Sequence, residues 1–198
     1  EDNIYCCGVC DINYKPECSV CGGTEDCSSM TYECGDYSGN LYVADNGSGE
    51  YTDNVGCEYD PLRNIQQAID MSIDGDTVFV AAGIYYENIN FNSKNISVIG
   101  ENRETTIIDG GLNGSVVIFE DFVNDALLDG FTLRNGMGNN NQNGGGGIYI
   151  FGSNPTFKNL IITSNTSQYG GGGIAMYASN PVLENIDIIG NVASDHGG

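Results

Sequence analysis

The sequence predicts an all-β chain: a right-handed parallel β-helix (solenoid) with an N-terminal capping helix and a small cysteine-rich N-terminal segment. Three observations carry that prediction. Residues 144–169, GGGGIYIFGSNPTFKNLIITSNTSQY, are written again in register as residues 170–195, GGGGIAMYASNPVLENIDIIGNVASD, with 11 of 26 positions identical. A period of this length marks a solenoid, whose turns bury their apolar faces only against neighbouring turns. Within each copy apolar residues alternate with polar ones, as at Leu160 and Ile162 or Ile186 and Ile188, which is the period of a strand. Each copy is also punctuated by turn formers: a glycine tract, Asn154-Pro155 or Asn180-Pro181, and Asn165 or Asn191. Strands of successive turns stack about 4.8 Å apart, so like sits on like. Asn159 over Asn185 and Asn165 over Asn191 should form amide ladders, and Ile148 over Ile174 an apolar one. The right hand follows from the general chirality of parallel crossovers.

Taken in order, residues 1–38 form a cysteine-rich segment, residues 39–75 an N-terminal cap, and residues 76–198 the β-helix, which stops in mid-repeat. His196-Gly197-Gly198 stands one period after Gly170-Gly171-Gly172, so the natural chain is expected to continue. All eight cysteines, Cys6, Cys7, Cys10, Cys18, Cys21, Cys27, Cys34 and Cys57, lie ahead of the repeats. An even number in a short, loop-rich stretch reads as disulfides and an oxidising compartment. The paired spacing of Cys7, Cys10, Cys18 and Cys21 leaves a four-thiolate metal site as the alternative.

Leu41 to Val43 make a short strand leading into an oxygen-rich stretch, in which Asp45, Asn46, Glu50 and Asp53 are candidate calcium ligands; a turn-rich loop is the competing reading. Asp60-Pro61 then offers an N-cap and a first helical residue. Leu62, Ile65, Ala68, Ile69, Met71 and Ile73 give one apolar face, and Asp74-Gly75 stops the helix. Such a helix is suited to cover the open end of the coil. Strands follow at Thr77 to Val80, Ile84 to Phe91, Asn95 to Ile99, Thr106 to Ile108, Val116 to Phe119 and Leu127 to Leu133. Phe131 and Leu133 match Leu160 and Ile162 across a longer turn, within which Asn139 to Asn143 form a protruding polar loop.

Composition restricts function. Twenty-seven acidic against six basic residues give a net charge of −21, which repels nucleic acid, anionic membranes and, without bridging calcium, polyuronates. No apolar run approaches the roughly 18 residues of a membrane span. No cofactor is required by any motif, calcium being the one candidate. The expected partners are a polysaccharide or surface glycan, and other copies or the remainder of the chain through the open C-terminal coil.

LYVADNGSGE, PLRNIQQAID, DGDTVFVAAGIYYENI, KNISVIGE and TTIIDGG, all within residues 41–111, resemble the opening of secreted right-handed β-helix proteins of the pectate-lyase-like superfamily. That resemblance implies the fold and leaves activity open, since lyases, esterases, epimerases and surface proteins share it. Gly83, Tyr85 and Glu87 also fit the GxYxE stretch of pectin methylesterases, while that family's Gln-Ala-Val, Gln-Asp-Thr and Asp-Phe-Ile-Phe-Gly stretches are absent. The repeated Ile-x-x-Asn, Ile162 to Asn165 and Ile188 to Asn191, resembles the Phe-x-x-Asn repeats of polymorphic outer-membrane adhesins, with Ile in place of Phe.

Three functions compete on the residues. A lyase needs a base with calcium-binding carboxylates, and a hydrolase needs two carboxylates on one face. Arg103, Arg134 and Lys158 are the bases available and Asp109, Asp125 and Asp129 the carboxylates; Arg134 points outward if Leu133 points in, which allows a site with Asp129 on the same face, a plain surface Arg being the competing reading. Acid-base side chains do not recur at matching positions. The sequence therefore favours a non-catalytic extracellular or cell-surface module of a longer protein, acting as an adhesive, carbohydrate-binding or structural stalk. A polysaccharide-active enzyme and a subunit of an extracellular filament are the alternatives. For sugar binding the sequence offers Tyr149 over Ala175 and Phe151 over Tyr177.

Overall fold

A computed structural model describes residues 39–47, 56–58, 60–121, 123–138 and 144–195. The cysteine-rich segment 1–38, Glu50, Asp53, the loop 139–143 and His196 lie outside the described residues. Strands β1 (Asn40–Val43), β2 (Thr77–Val80), β5 (Ser97–Gly100), β8 (Leu127–Arg134), β11 (Thr156–Thr163) and β14 (Val182–Ile189) run side by side in one long sheet. Alongside them β3 (Gly83–Tyr85) pairs with β6 (Thr106–Asp109), and β6 with the second half of β8. A second sheet has the order β13 (Ile174–Tyr177), β10 (Ile148–Phe151), β7 (Val117–Phe119), β4 (Ile89–Asn90). A third holds β15 (Val192–Ala193), β12 (Thr166–Ser167) and β9 (Met137–Gly138). Every ladder between these strands is parallel. The chain is therefore a parallel β-helix, with β2, β5, β8, β11 and β14 opening successive turns.

The apolar residue of each alternating pair faces the inside. Val78, Val98, Leu128 and Phe157 are buried at successive rungs, and Phe91, Phe119 and Phe157 form a continuous aromatic spine with ring centroids 4.1 and 5.3 Å apart. Each such side chain contributes about 1.5–3 kcal/mol by leaving water. The expected ladders are present: Ile148 pairs with Ile174, Asn185 donates its amide to Asn159 at 2.7 Å, and Asn165 to Asn191 at 3.0 Å. At Gly146 the glycine tract is a steric requirement, because a β-carbon there would lie 2.3 Å from the Gly172 carbonyl oxygen of the next turn.

Two elements differ from expectation. The helix, α1 (Ile65–Met71), begins later than Asp60-Pro61 suggests, because Leu62 is held in extended pairing beside β1. Leu62 N–H donates to the Tyr42 carbonyl and its own carbonyl accepts from Ala44 N–H, both at 2.8 Å. Asn64 caps without a side-chain bond; instead the Glu87 carboxylate accepts from the N–H groups of Ile65 and Gln66, both at 2.9 Å. At the other end Lys94 Nζ donates to the carbonyls of Ile69 and Asp70 at 2.7 and 2.8 Å. Anion at the first turn and cation at the last both suit the helix dipole. The helix packs on β1, β2 and β4, so it sits where both sheets begin, burying Ile65, Ala68 and Ile69 while Ile73 stays exposed. The second difference is that Ile84 to Phe91 is not one strand. It breaks into β3 and β4 around Tyr86–Asn88, a corner of the coil that frees Glu87 to reach α1.

Candidate functional site

The outer face of the long sheet carries one row of side chains in register: Tyr42, Phe79, Ile99, Asp129, Lys158 and Glu184. The row is apolar at its beginning and charged at its end. Tyr42 and Phe79 stack with ring centroids 5.3 Å apart and planes 29° from parallel. With Pro61, Ile99, Glu58 and Glu101 they line a cavity of about 410 Å³. Ile99, Gly100 and Glu101 also line a second cavity of about 340 Å³, together with Arg103, Asp129 and Asn159. Shared walls make the two cavities one groove along the coil axis.

What builds the second half of the groove is a change of local structure between turns. Gly130, within β8, has φ +81°, and a β-carbon there would lie 2.5 Å from the Gly100 carbonyl oxygen. The corresponding positions of later turns are Asn159 at φ 48° and Asn185 at φ 55°, a left-handed conformation that Asn tolerates better than most side chains. Their amides form a polar strip: Asn159 donates to Asp129 at 2.8 Å and Asn185 to Asn159 at 2.7 Å. One turn earlier the residue-wide bend is replaced by the loop 101–105, which reaches across this strip. Thr132 Oγ1 donates to the Arg103 carbonyl at 2.6 Å, and the Arg103 guanidinium meets Asp187 at 3.0 Å and Glu104 at 3.1 Å.

The candidate catalytic residues fall in separate places. Arg134 points outward, yet its partner is Asp109, in register on the neighbouring strand, with Nε to Oδ2 at 2.8 Å. Asn135 also donates to Oδ2 at 2.8 Å and Gly111 N–H to Oδ1 at 3.1 Å. Burial raises the Asp109 carboxyl, but the bonds from Arg134, Gly111 and Asn135 outweigh it and hold the group below the ordinary carboxylate range. Asp129 stands in the amide strip of the groove, and Asp125 is exposed in a turn. Asp109 and Arg134 thus form a satisfied tie, with Asp129 outside it.

Gly83, Tyr85 and Glu87 are scaffold. A β-carbon at Gly83 would lie 2.8 Å from Asp45 Oδ2, Tyr85 is buried with its hydroxyl donating to Ala81 at 2.9 Å, and Glu87 holds α1. Burial, with the Asp45 charge, pushes the Tyr85 phenol well up. Asp45 and Asn46 are exposed, and among the described residues no group of three or more His, Cys, Asp or Glu side chains is placed to hold a metal ion. Phe151 and Tyr177 pair in register on the second sheet, 50% and 44% exposed, while Tyr149 is buried. The groove's aromatic pair escaped sequence reasoning because Tyr42 and Phe79 lie on separate strands that pair only through the fold; the signal was an aromatic at the outward position of each.

No protein-family model matches the sequence, and no curated protein does. Among solved structures, a pectin methylesterase variant crystallised with a hexasaccharide is similar at a TM-score of 0.50 and 14% identity, covering 80% of this chain and 49% of its own. Carrot pectin methylesterase is similar at 0.45 and 17%, covering 78% and 51%. A further pectin methylesterase with a hexasaccharide gives 0.45 and 13%, covering 75% and 50%. The chain spans about half the length of these structures. The likeness is one of fold, the parallel β-helix.

Proposed function

We propose that this chain is a non-catalytic glycan-binding β-helix that acts outside the cell or at its surface and holds an oligosaccharide in the outer groove of its long sheet. The observation that carries this reading is the stacked Tyr42–Phe79 pair lining a cavity of about 410 Å³. Aromatic faces bind the apolar C–H faces of sugar rings, and the Asp129–Asn159–Asn185 strip beyond them offers hydrogen bonds to hydroxyls. A fold neighbour crystallised with a hexasaccharide makes a sugar ligand a natural one for this surface. Against catalysis stands the tie that occupies both Asp109 and Arg134.

The enzyme reading is favoured by the same fold likeness, and one experiment separates the two. The purified protein is titrated calorimetrically with neutral and acidic hexasaccharides, and incubated with pectin, polygalacturonate, alginate and xylan, with and without calcium. At least one oligosaccharide is expected to bind without turnover. Tyr42→Ala and Phe79→Ala, checked for folding by thermal melts, should weaken binding by roughly tenfold, about 1.4 kcal/mol. Turnover of any polymer, lost in Asp129→Ala or Arg134→Ala, would establish the enzyme instead.

A further inference from the structure

Resting on the glycan-binding reading, we infer that the groove selects neutral glycans and rejects polyuronates, and that the pairing of Arg103 with two carboxylates sets this preference. A uronate-binding groove needs cations free to meet the ligand's carboxylates. Among the described residues Arg103 lines this one, Lys158 stands beside Asp129 in the outward row, and each is already paired. The Arg103 guanidinium spans from Glu104, at 3.1 Å, to Asp187, at 3.0 Å, and NH1 also donates to the Asn185 carbonyl at 3.4 Å. Its side chain is only 21% exposed. Lys158, the other cation of the outward row, meets Glu184 at 3.0 Å on the next rung.

The acids are less compensated. Glu101 stands where the two cavities meet and accepts from the Ala82 N–H at 2.9 Å, Asp129 accepts from the Asn159 amide at 2.8 Å, and exposed Glu58 lines the aromatic end. Among the described residues none of these three has an ion-pair partner. A carboxylate on every sugar of a ligand lying in the groove would meet these charges in turn, at separations within a Debye length at physiological salt. A neutral sugar meets the same groups as hydrogen-bond acceptors for its hydroxyls. Arg103 is thus a specificity-determining residue whose charge is spent on Glu104 of the loop 101–105 and on β14.

The test is a calorimetric comparison of cellohexaose, xylohexaose and mannohexaose with hexagalacturonate, in chelator, at roughly 20 and 300 mM salt. At least one neutral hexasaccharide should bind about tenfold or more tighter than hexagalacturonate at low salt, and the difference should shrink at high salt, where exposed charges are screened. The double variant Glu104→Gln/Asp187→Asn, which leaves the Arg103 charge unpaired, should gain hexagalacturonate affinity about fivefold or more while keeping its affinity for the neutral ligand. That retained affinity shows that the variant is folded and the groove intact. Hexagalacturonate binding as tightly as the neutral ligands at low salt would overturn the inference and leave the glycan-binding reading standing. A preference unchanged by salt would overturn its electrostatic basis. No binding of any hexasaccharide would sink both.

Discussion

The two written copies of the repeat, residues 144–169 and 170–195, are near-copies in sequence and opposites in burial. Ile162 and Ile188 occupy the same register position, yet Ile162 is fully buried and Ile188 is 50% exposed; Phe157 is buried and Leu183, its partner, is 46% exposed. The residue type and strand pattern are shared, so the difference comes from neighbours alone. Among the described residues Ile162 has a strand on each side, β8 and β14, and Ile188 has β11. In a solenoid the core is a property of stacking, and an apolar position is buried only as far as a further strand packs beside it.

The largest expected effect tests that difference directly. Ile162→Ala should cost about 2–5 kcal/mol in urea denaturation and Ile188→Ala about 1 kcal/mol, since little cavity can form at a half-open surface. Equal costs would mean that Ile188 is covered in solution. A smaller effect separates the two asparagine ladders. Asn165 is fully buried, donates to the Leu133 carbonyl and accepts from the Gly136 N–H at 2.7 Å, so Asn165→Ala should cost about 2–3 kcal/mol by leaving buried groups unpaired. Asn159 is exposed and left-handed, and Asn159→Gly should change stability by less than about 0.5 kcal/mol.

The smallest effect concerns the column Asp109, Arg134, Thr163 and Ile189, charged at its first two positions and uncharged at the next two. Asp109 has a lowered pKa in the folded chain, so its stabilisation is complete above about pH 4 and is lost as pH falls through the lowered value. Asp109→Asn should therefore melt below the wild type at pH 7, and the gap should narrow below about pH 4. A gap constant with pH would remove the ion pair from the account.

Repetition decided what could be read from the sequence. The ladders at Asn159, Asn165 and Ile148 were legible because each residue type occurs twice at one spacing. The first turns lack such copies, and there local signals competed with tertiary ones: Asp60-Pro61 carries helix-start chemistry, yet backbone pairing of Leu62 with Tyr42 and Ala44 takes that stretch. The pairing of Asp109 with Arg134 needs the length of the intervening turn, which no repeat supplied. The groove was less legible still, since it depends on the outward register of six different strands and on the loop 101–105 crossing them.

The clamp on α1 has a consequence for how the molecule is made. A seven-residue helix is far below the length at which isolated helices persist in water. Its terminal groups are satisfied by Glu87 and Lys94, which follow it in the chain. On a ribosome residues 65–71 emerge first and must wait for the first turn of the coil to be synthesised before their ends are held. The end of the rod that is translated earliest is thus completed only when later residues fold back onto it, and elongation of the nascent chain sets the earliest moment at which that end can close.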